Sequence, residues 1–173
     1  MSHIPNISDI TLDIEKKLCG ENHKLCKCKV ISLIIENKEK NINELDQNGT
    51  CLLHNLFKYK KYDLLKKLME RKDLNINKVD SKKKHLIDII NINYDEYIDF
   101  IKLILQREDF NINKHNKHGN TLLHKLTINS HEELIKLLLN FPSIDIDNIS
   151  EEHDTALYLA CFYEYPNLVE LFL

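Results

Sequence analysis

The sequence repeats itself about every 34 residues, and this periodicity limits the possible folds more than any other feature. The triplet Asn-Ile-Asn occurs at 41–43, 75–77 and 111–113, and an Asp-Ile-Asp variant follows at 145–147. The central isoleucines are 34, 36 and 34 residues apart. A second motif, Leu-Leu-His at 52–54 and 122–124, keeps the same spacing through its variants at 86–88 and 156–158. Two motifs that share one period indicate an array of similar structural units.

Each unit contains two predicted helices. The first opens with the Leu-Leu pair, and the second has apolar residues at i, i+1, i+4 and i+5, as in the segments 64–69 and 134–139. One helical hairpin cannot bury such a wide stripe, whereas stacked neighbours can. Three Gly and three Pro are fewer than Rossmann folds, P-loops and most β-rich folds need at their turns. We therefore predict an all-α solenoid of helix-turn-helix units, in which the triplet forms a short extended segment before each tip.

These motifs resemble the ankyrin repeat family. The segment 116–124, Asn-Lys-His-Gly-Asn-Thr-Leu-Leu-His, is similar to the family opening D-x-x-G-x-T-P-L-H, and 46–54 matches it with Cys51 at the Thr position. Residues 154–160 match the T-x-L-x-L-A core. The resemblance implies an ankyrin-repeat solenoid with units near 46–79, 80–115, 116–149 and 150–173. Leu52 and Leu122 replace the Pro at the first helical position.

The second unit and the N-terminus depart from this pattern. The unit from Asp80 lacks the Gly and the Thr, carries Asp88 at the His position, and has a longer turn near 91–97, so we expect it to be the least regular. Upstream, 29–36 matches a second helix, and 7–18 is predicted to be a helix capped by Ser8. We therefore predict an atypical capping repeat at 1–40, followed by ankyrin repeats at 41–173.

The candidate chemical groups favour structural roles. For His54 and His124, the resemblance implies hydrogen bonds to backbone between adjacent tips. Cys51 and Cys161 fall at positions that we expect to face the core. We find no G-x-S-x-G, H-E-x-x-H or P-loop motif and no paired-carboxylate arrangement, so we predict that the chain is not an enzyme and uses no cofactor.

One cluster has the composition of a metal site, namely Cys19, His23, Cys26 and Cys28. On a continuous helix the first three would share a face, and Cys28 or water could complete a zinc site. Gly20 indicates a break in that helix, and paired C-x-x-C knuckles are lacking. We therefore prefer the interpretation that these are small apolar residues of the capping repeat, and we predict no metal.

We expect the function to be protein–protein recognition through the concave face of the solenoid. The family pattern places variable residues at the tips and at the end of each first helix. Ile128, Phe162 and Tyr163 are apolar at such positions, and lysines make two neighbouring tips basic. The predicted partner-binding residues are Tyr59, Lys82, Lys84, Lys117, His118, Ile128, Asn129, Glu151, Glu152, Phe162 and Tyr163. The alternative is a targeting module of a larger enzyme or effector whose catalytic domain lies outside this chain.

Composition limits the classes of partner, the cellular compartment and the source that we expect for this chain. A net charge of −3 and lysines without interleaved aromatic residues argue against nucleic acid, and no apolar run is long enough to span a membrane. Five Cys and the lack of a signal sequence favour the cytoplasm. The bias to Asn, Lys and Ile resembles A/T-rich coding, so we expect a viral or bacterial host-interaction protein. The apolar run 168–173 predicts self-association through the C-terminal helix or a longer polypeptide.

Overall fold

The computed structural model of the chain describes residues 6–7, 27–90 and 96–173. Helices account for its regular secondary structure, and this part of the chain contains no strand beyond an isolated bridge between Leu45 and Cys51. The all-α prediction is therefore confirmed. The helices of the described residues are α1 Lys27–Glu36, α2 Leu52–Lys58, α3 Tyr62–Met69, α4 Leu86–Ile89, α5 Glu96–Leu105, α6 Leu122–Ile128, α7 Glu132–Leu139, α8 Ala156–Phe162 and α9 Pro166–Phe172.

The chain divides into two compact units, Met1–Ile89 and Ile90–Leu173. In the first unit, α2 packs on α3, while α1 packs on α3 and α2 packs on α4. In the second unit, α6 pairs with α7 and α8 with α9, and α6 packs on α8 and α7 on α9. Within each unit, first helices thus contact first helices and second helices contact second helices. The apolar stripe of the second helices is buried in these contacts, as at Leu65, Leu68, Leu134, Ile135 and Leu138.

The first helices begin where the sequence predicts. Leu52 and Leu122 are the first helical residues, after the N-cap residues Cys51 and Thr121. The Thr121 hydroxyl accepts a hydrogen bond from the backbone N–H of His124, and the His124 side chain accepts one from the backbone N–H of Thr121. Cys51 makes no side-chain cap hydrogen bond. The Thr121 side chain therefore satisfies a backbone N–H at the start of α6, whereas the Cys51 side chain does not do so at the start of α2.

The prediction of an extended triplet is wrong, because the triplet forms a turn. The side-chain oxygen of Asn75 accepts a hydrogen bond from the backbone N–H of Asn77 at 3.1 Å, and the Asn75 carbonyl accepts one from Lys78 at 3.2 Å. Asn41 and Asn111 accept in the same way from the residues two positions later. An asparagine that bonds to its own backbone two residues on stabilises a turn. The turn directs the central isoleucine inward, and Ile42, Ile76 and Ile112 are buried.

The third asparagine of the triplet connects successive turns. Asn43 donates from its amide nitrogen to the Asp73 carbonyl and accepts from the Asn75 backbone N–H at 2.7 Å. In the second unit, Asn113 donates to the Ser143 carbonyl at 2.7 Å and accepts from the Asp145 backbone N–H at 2.9 Å. These hydrogen bonds fix the spacing of neighbouring repeats at the turn side of the helices.

Each tip is organised by the polar residue that opens it. The Asp46 and Asp80 carboxylates, the Asn116 amide oxygen and the Ser150 hydroxyl each accept two backbone N–H hydrogen bonds from the residues two and four positions later. Gly49 and Gly119 follow with φ of 70°, and Lys83 and His153 adopt the same left-handed conformation without being glycine. The Asp80 unit therefore keeps the tip geometry although it lacks the glycine.

The structure describes only some of the residues to which the predictions for the N-terminus and for the repeat that begins at Asp80 refer. Helix α1 covers the segment 29–36 that was predicted to be helical. The predicted helix at 7–18, its Ser8 cap and the turn at 91–95 lie largely or wholly outside the described residues, and the boundary at residues 40 and 41 stays a prediction. Helix α4 has four residues, against seven in α2, α6 and α8.

Candidate functional site

In the first unit, the predicted binding residues lie on the tip and at the end of a first helix. Lys82 is exposed and Lys84 is partly exposed on the tip that Asp80 opens. Tyr59 is half-buried directly after α2, and the Lys58 ammonium lies 4.9 Å from the centroid of its ring. The Lys58 ammonium also donates to the Tyr59 hydroxyl at 3.2 Å. This lysine therefore lies at the hydroxyl end of the tyrosine that stands at a predicted recognition position.

In the second unit, the predicted residues form two groups. Lys117, His118, Glu151 and Glu152 are exposed on the tips, so they are available for contact. Asn129, Phe162 and Tyr163 are exposed at the ends of α6 and α8, whereas Ile128 is half-buried. The expectation of a fully solvent-facing apolar trio is therefore met by the two aromatic residues and only partly by Ile128.

Phe162 and Tyr163 belong to a larger group of rings, which we call the aromatic strip: Tyr158, Phe162, Tyr163 and Tyr165. Successive ring centroids are 6.2, 5.2 and 5.9 Å apart, with stacked, edge-to-face and stacked geometry. Phe162 is 65 % exposed, Tyr158 53 % and Tyr163 42 %. The Tyr165 hydroxyl donates to the Ile128 carbonyl at 3.4 Å, which connects the strip to the end of α6. Large exposed aromatic side chains in contact with each other are typical of binding surfaces.

Sequence reasoning missed two members of the strip, Tyr158 and Tyr165. Tyr158 stands at the motif position that holds His54 and His124 in other units, and Phe162 follows it at i+4 on the same helix face. That replacement, together with the i, i+4 spacing, could have revealed the stacked pair. Tyr165 could not be found this way, because its contact with Tyr163 depends on the turn between α8 and α9.

The part of the sequence that carries the strip is acidic. Residues 137–173 contain seven acidic residues and no Lys or Arg. The acidic residues are Asp145, Asp147, Glu151, Glu152, Asp154, Glu164 and Glu170. Helix α6, which packs against α8, contributes Lys125, but its ammonium donates to the Ile90 carbonyl. Along the sequence, the strip therefore lies in an acidic stretch.

A family model for ankyrin repeats in three copies matches residues 86–173, slightly more than half of the chain. The chain belongs to the ankyrin repeat family. No curated protein matches the sequence. Ankyrin repeats are protein–protein interaction modules and are typically not catalytic. The number of repeats in the whole chain stays a prediction, since the match begins at Leu86.

The motif histidines of these ankyrin repeats differ in their contacts. The His124 ring lies 2.9 Å from the Asp154 carbonyl of the next tip, as the resemblance implied. His54 is 1 % exposed, and among the described residues neither of its ring nitrogens reaches hydrogen-bonding geometry. Burial lowers the pKa of His54 to about 4, against smaller opposing effects of Asp80 and Asp88. Burial also lowers the pKa of His124. Both rings are therefore neutral structural elements at pH 7.

The two described cysteines occupy different environments. Cys51 is buried, and desolvation raises the pKa of its thiol to about 12, so it is not a nucleophile at neutral pH. The expectation that Cys161 faces the core is wrong, because its side chain is exposed on α8. The equivalent residues Phe57 and Thr127 are fully buried in α2 and α6, on which the first helices α4 and α8 pack. Among the described residues no further first helix packs on α8, so Cys161 is exposed.

The structure describes few of the residues proposed for a metal site, whereas it describes most of the chain to which the membrane prediction refers. Cys19, His23 and Cys26 lie outside the described residues, and of Cys28 only the helical backbone is described. Within the described ranges, no group of three or more His, Cys, Asp or Glu side chains could hold a metal ion. None of the helices described is long and apolar enough to cross a membrane.

A surface cavity of about 260 Å³ lies elsewhere in the second unit. The loops that follow α5 and α7 form its walls, with Arg107, Phe110, Ile112 and Phe141 among the lining residues. None of the predicted partner-binding residues and no residue of the aromatic strip lines it. The candidate binding surface is therefore an open face of tips and helix ends, and not this cavity.

Proposed function

We propose that this ankyrin repeat chain binds a protein partner through its tips and the ends of its first helices, the side expected to be concave in a stack of repeats. The observation that carries the proposal is the exposure of Phe162 and Tyr163 at recognition positions, in ring contact with each other. Rigid aromatic side chains bury a large area and lose few rotamers on binding. The partner-binding residues are those predicted from the sequence, extended by Tyr158 and Tyr165.

The basic tip residues support a role in association. Lys82 and Lys84 belong to the first unit and Lys117 and His118 to the second. Exposed charges of one sign steer a partner of opposite charge and raise its association rate. We therefore propose that the basic tip of each unit, taken by itself, meets acidic groups of a binding partner, and that Asn129, Glu151 and Glu152 contribute polar contacts within the second unit. The chain acts by occupancy and not by catalysis, uses no cofactor, and works in the cytoplasm.

Alanine substitution of the aromatic pair tests the proposal. Phe162→Ala and Tyr163→Ala are each expected to weaken partner binding by roughly 1–3 kcal/mol, because each removes an anchor. Both side chains are solvent-exposed, so the helical circular dichroism signal is expected to stay nearly unchanged. Glu170→Ala on α9 is the matched control, since this residue is exposed on a second helix of the same repeat. Unchanged affinity for both aromatic variants, together with loss of binding in the control, would refute the assignment of the surface.

A further inference from the structure

The aromatic strip and its charge environment together specify the chemistry of what it binds. The rings of Tyr158 and Phe162 stack along the outer face of α8, and Tyr163 and Tyr165 continue the series beyond its end. Glu164 lies between the last two rings in the sequence and is exposed. The face of an aromatic ring attracts cations, and so do carboxylates. Ring faces beside carboxylates, in a stretch without Lys or Arg, match a cationic ligand.

The first unit has a cation beside the aromatic ring at the equivalent helix end. The repeat register places Lys58 and Tyr59 at the end of α2 where Phe162 and Tyr163 stand at the end of α8. At the end of α2, the Lys58 ammonium lies 4.9 Å from the centroid of the Tyr59 ring and donates to its hydroxyl. At the end of α8, the position of the lysine is taken by a second aromatic ring. The same helix end thus supplies its own cation in one unit and exposes only rings in the other.

We propose that the aromatic strip binds a Lys- or Arg-containing segment of the protein partner. The cationic side chains lie over the exposed faces of Tyr158, Phe162 and Tyr163, and the exposed Glu164, which stands between Tyr163 and Tyr165 in the sequence, pairs with them. Arginine is favoured over lysine, because its planar guanidinium stacks on rings and hydrogen-bonds to carboxylates at once. This inference rests on the proposed function and adds the chemistry of the partner to it.

Defined peptides test the inference without the natural partner. The probes are fluorescent 12-residue peptides with four repeats of Gly-Ser-Arg, Gly-Ser-Lys, Gly-Ser-Gln or Gly-Ser-Glu, measured by fluorescence anisotropy with the full chain. The Arg peptide is expected to bind at least about ten-fold more tightly than the Gln peptide, and the Glu peptide more weakly than either. The triple variant Tyr158→Leu, Phe162→Leu, Tyr163→Leu keeps apolar bulk without ring faces, and is expected to lose about ten-fold in affinity for the Arg peptide.

Two further variants separate the effects of rings and charges. Glu164→Gln is expected to lower the affinity for the Arg peptide a few-fold, while it leaves the rings in place. Tyr59→Leu, in the first unit, is the control. This variant is expected to bind the Arg peptide with the affinity of the unchanged protein, because Tyr59 is half-buried and its neighbour Lys58 repels a cationic peptide. Circular dichroism checks that each variant is folded. Equal binding of the Arg and Gln peptides, or full affinity in the folded triple variant, would overturn the inference.

The failure of this inference is distinguishable from failure of the proposed function. If the peptides show no preference for Arg or Lys while Phe162→Ala still weakens the natural partner, the surface is right and its proposed chemistry is wrong. If Phe162→Ala and Tyr163→Ala leave the affinity for the natural partner unchanged, the proposed function is wrong whatever affinities the peptides show. The inference about the partner's segment is then wrong as well.

Discussion

Among the described residues, five other than glycine adopt left-handed backbone angles at turns where the chain reverses. They are Lys60, Lys83, Ser130, His153 and Glu164, with φ between 54° and 66°. A side chain with a Cβ is strained in this region, at a cost of order 1–3 kcal/mol for each residue. Three of them, Lys60, Ser130 and Glu164, stand at the turn between the two helices of a repeat. The chain therefore stores strain at the same turn of three repeats.

Glycine at one of these turns is expected to stabilise the protein. For Ser130→Gly we expect a gain of about 0.5–1 kcal/mol in the free energy of unfolding, because relief of the strain exceeds the extra unfolded-state entropy of glycine. Urea denaturation measures the change. Gly119→Ala is the opposite control, since its φ is 70° and a Cβ there would lie 2.5 Å from the Glu151 backbone nitrogen. A loss of stability in Ser130→Gly would contradict the account.

The buried histidines make stability depend on pH. The folded-state pKa of His54 is about 4, below the unfolded value of about 6.5, so the unfolded chain binds the proton more tightly. The contribution of His54 is therefore fully present above pH 6.5 and is lost as the pH falls from 6.5 to 4. We expect a loss of up to about 3 kcal/mol over this range. His124 adds to it in the same direction.

The variant His54→Gln isolates this effect. Its free energy of unfolding is expected to change less steeply between pH 6.5 and 4 than that of the unchanged protein, with the His124 contribution remaining. The carboxylates that hydrogen-bond to arginine, Asp73 and Asp109, have lowered pKa values and act below this range. Identical pH slopes for the two proteins, measured by urea denaturation, would contradict the assignment to His54.

At the scale of elements, a buried arginine joins α3 to the segment that follows α1. The Arg71 guanidinium donates to the carbonyls of Ile35, Asn37 and Lys40, and it also pairs with Asp73 at 2.6 Å. Its side chain is 9 % exposed. Arg107 and Asp109 repeat this pair 36 residues later, at 2.7 Å. Sequence reasoning missed both arginines, although the recurrence of Arg-x-Asp in the repeat register was visible.

Replacing Arg71 is expected to cost more than breaking an exposed ion pair between the same helices. Arg71→Lys keeps the positive charge, but a single ammonium cannot donate to all three carbonyls as the planar guanidinium does. We therefore expect a loss of roughly 2–3 kcal/mol in the free energy of unfolding. Lys67→Ala removes the exposed ion pair with Glu36 that joins α3 to α1, and is expected to cost clearly less than Arg71→Lys, because solvent screens this pair. Equal losses in denaturation measurements would show that Arg71 has no special role.

The sequence predicts the helices of the repeats better than the segments between them. The period and the apolar stripes locate the two helices of a repeat, because burial of a stripe requires a helix of fixed register. The triplet, which we predicted to be an extended segment, forms a turn. Its hydrogen bonds to its own backbone and to the next repeat depend on stacking, which a single-repeat pattern does not reveal.

At the scale of the whole molecule, charge is distributed unevenly along the chain. Eighteen of the 24 Lys and Arg residues lie in residues 1–89, whereas 137–173 contain none. The acidic stretch coincides with the aromatic strip, and this coincidence could be read from the sequence once the repeat register was known. The contact between rings could not be read, because it depends on how α8 and α9 turn against each other. Self-association through α9, where Leu173 is exposed, stays a prediction.

Site-specific photocrosslinking to the partner tests the central claim most directly. A benzophenone side chain is introduced at Phe162 or Asn129, at first-helix ends, or at Glu170 or Asn140 on or directly after second helices. All four positions are exposed, so each variant is expected to fold. The account predicts that the partner crosslinks from positions 162 and 129 and not from 170 or 140. Crosslinks from positions 170 or 140, with none from 162 and 129, would contradict it.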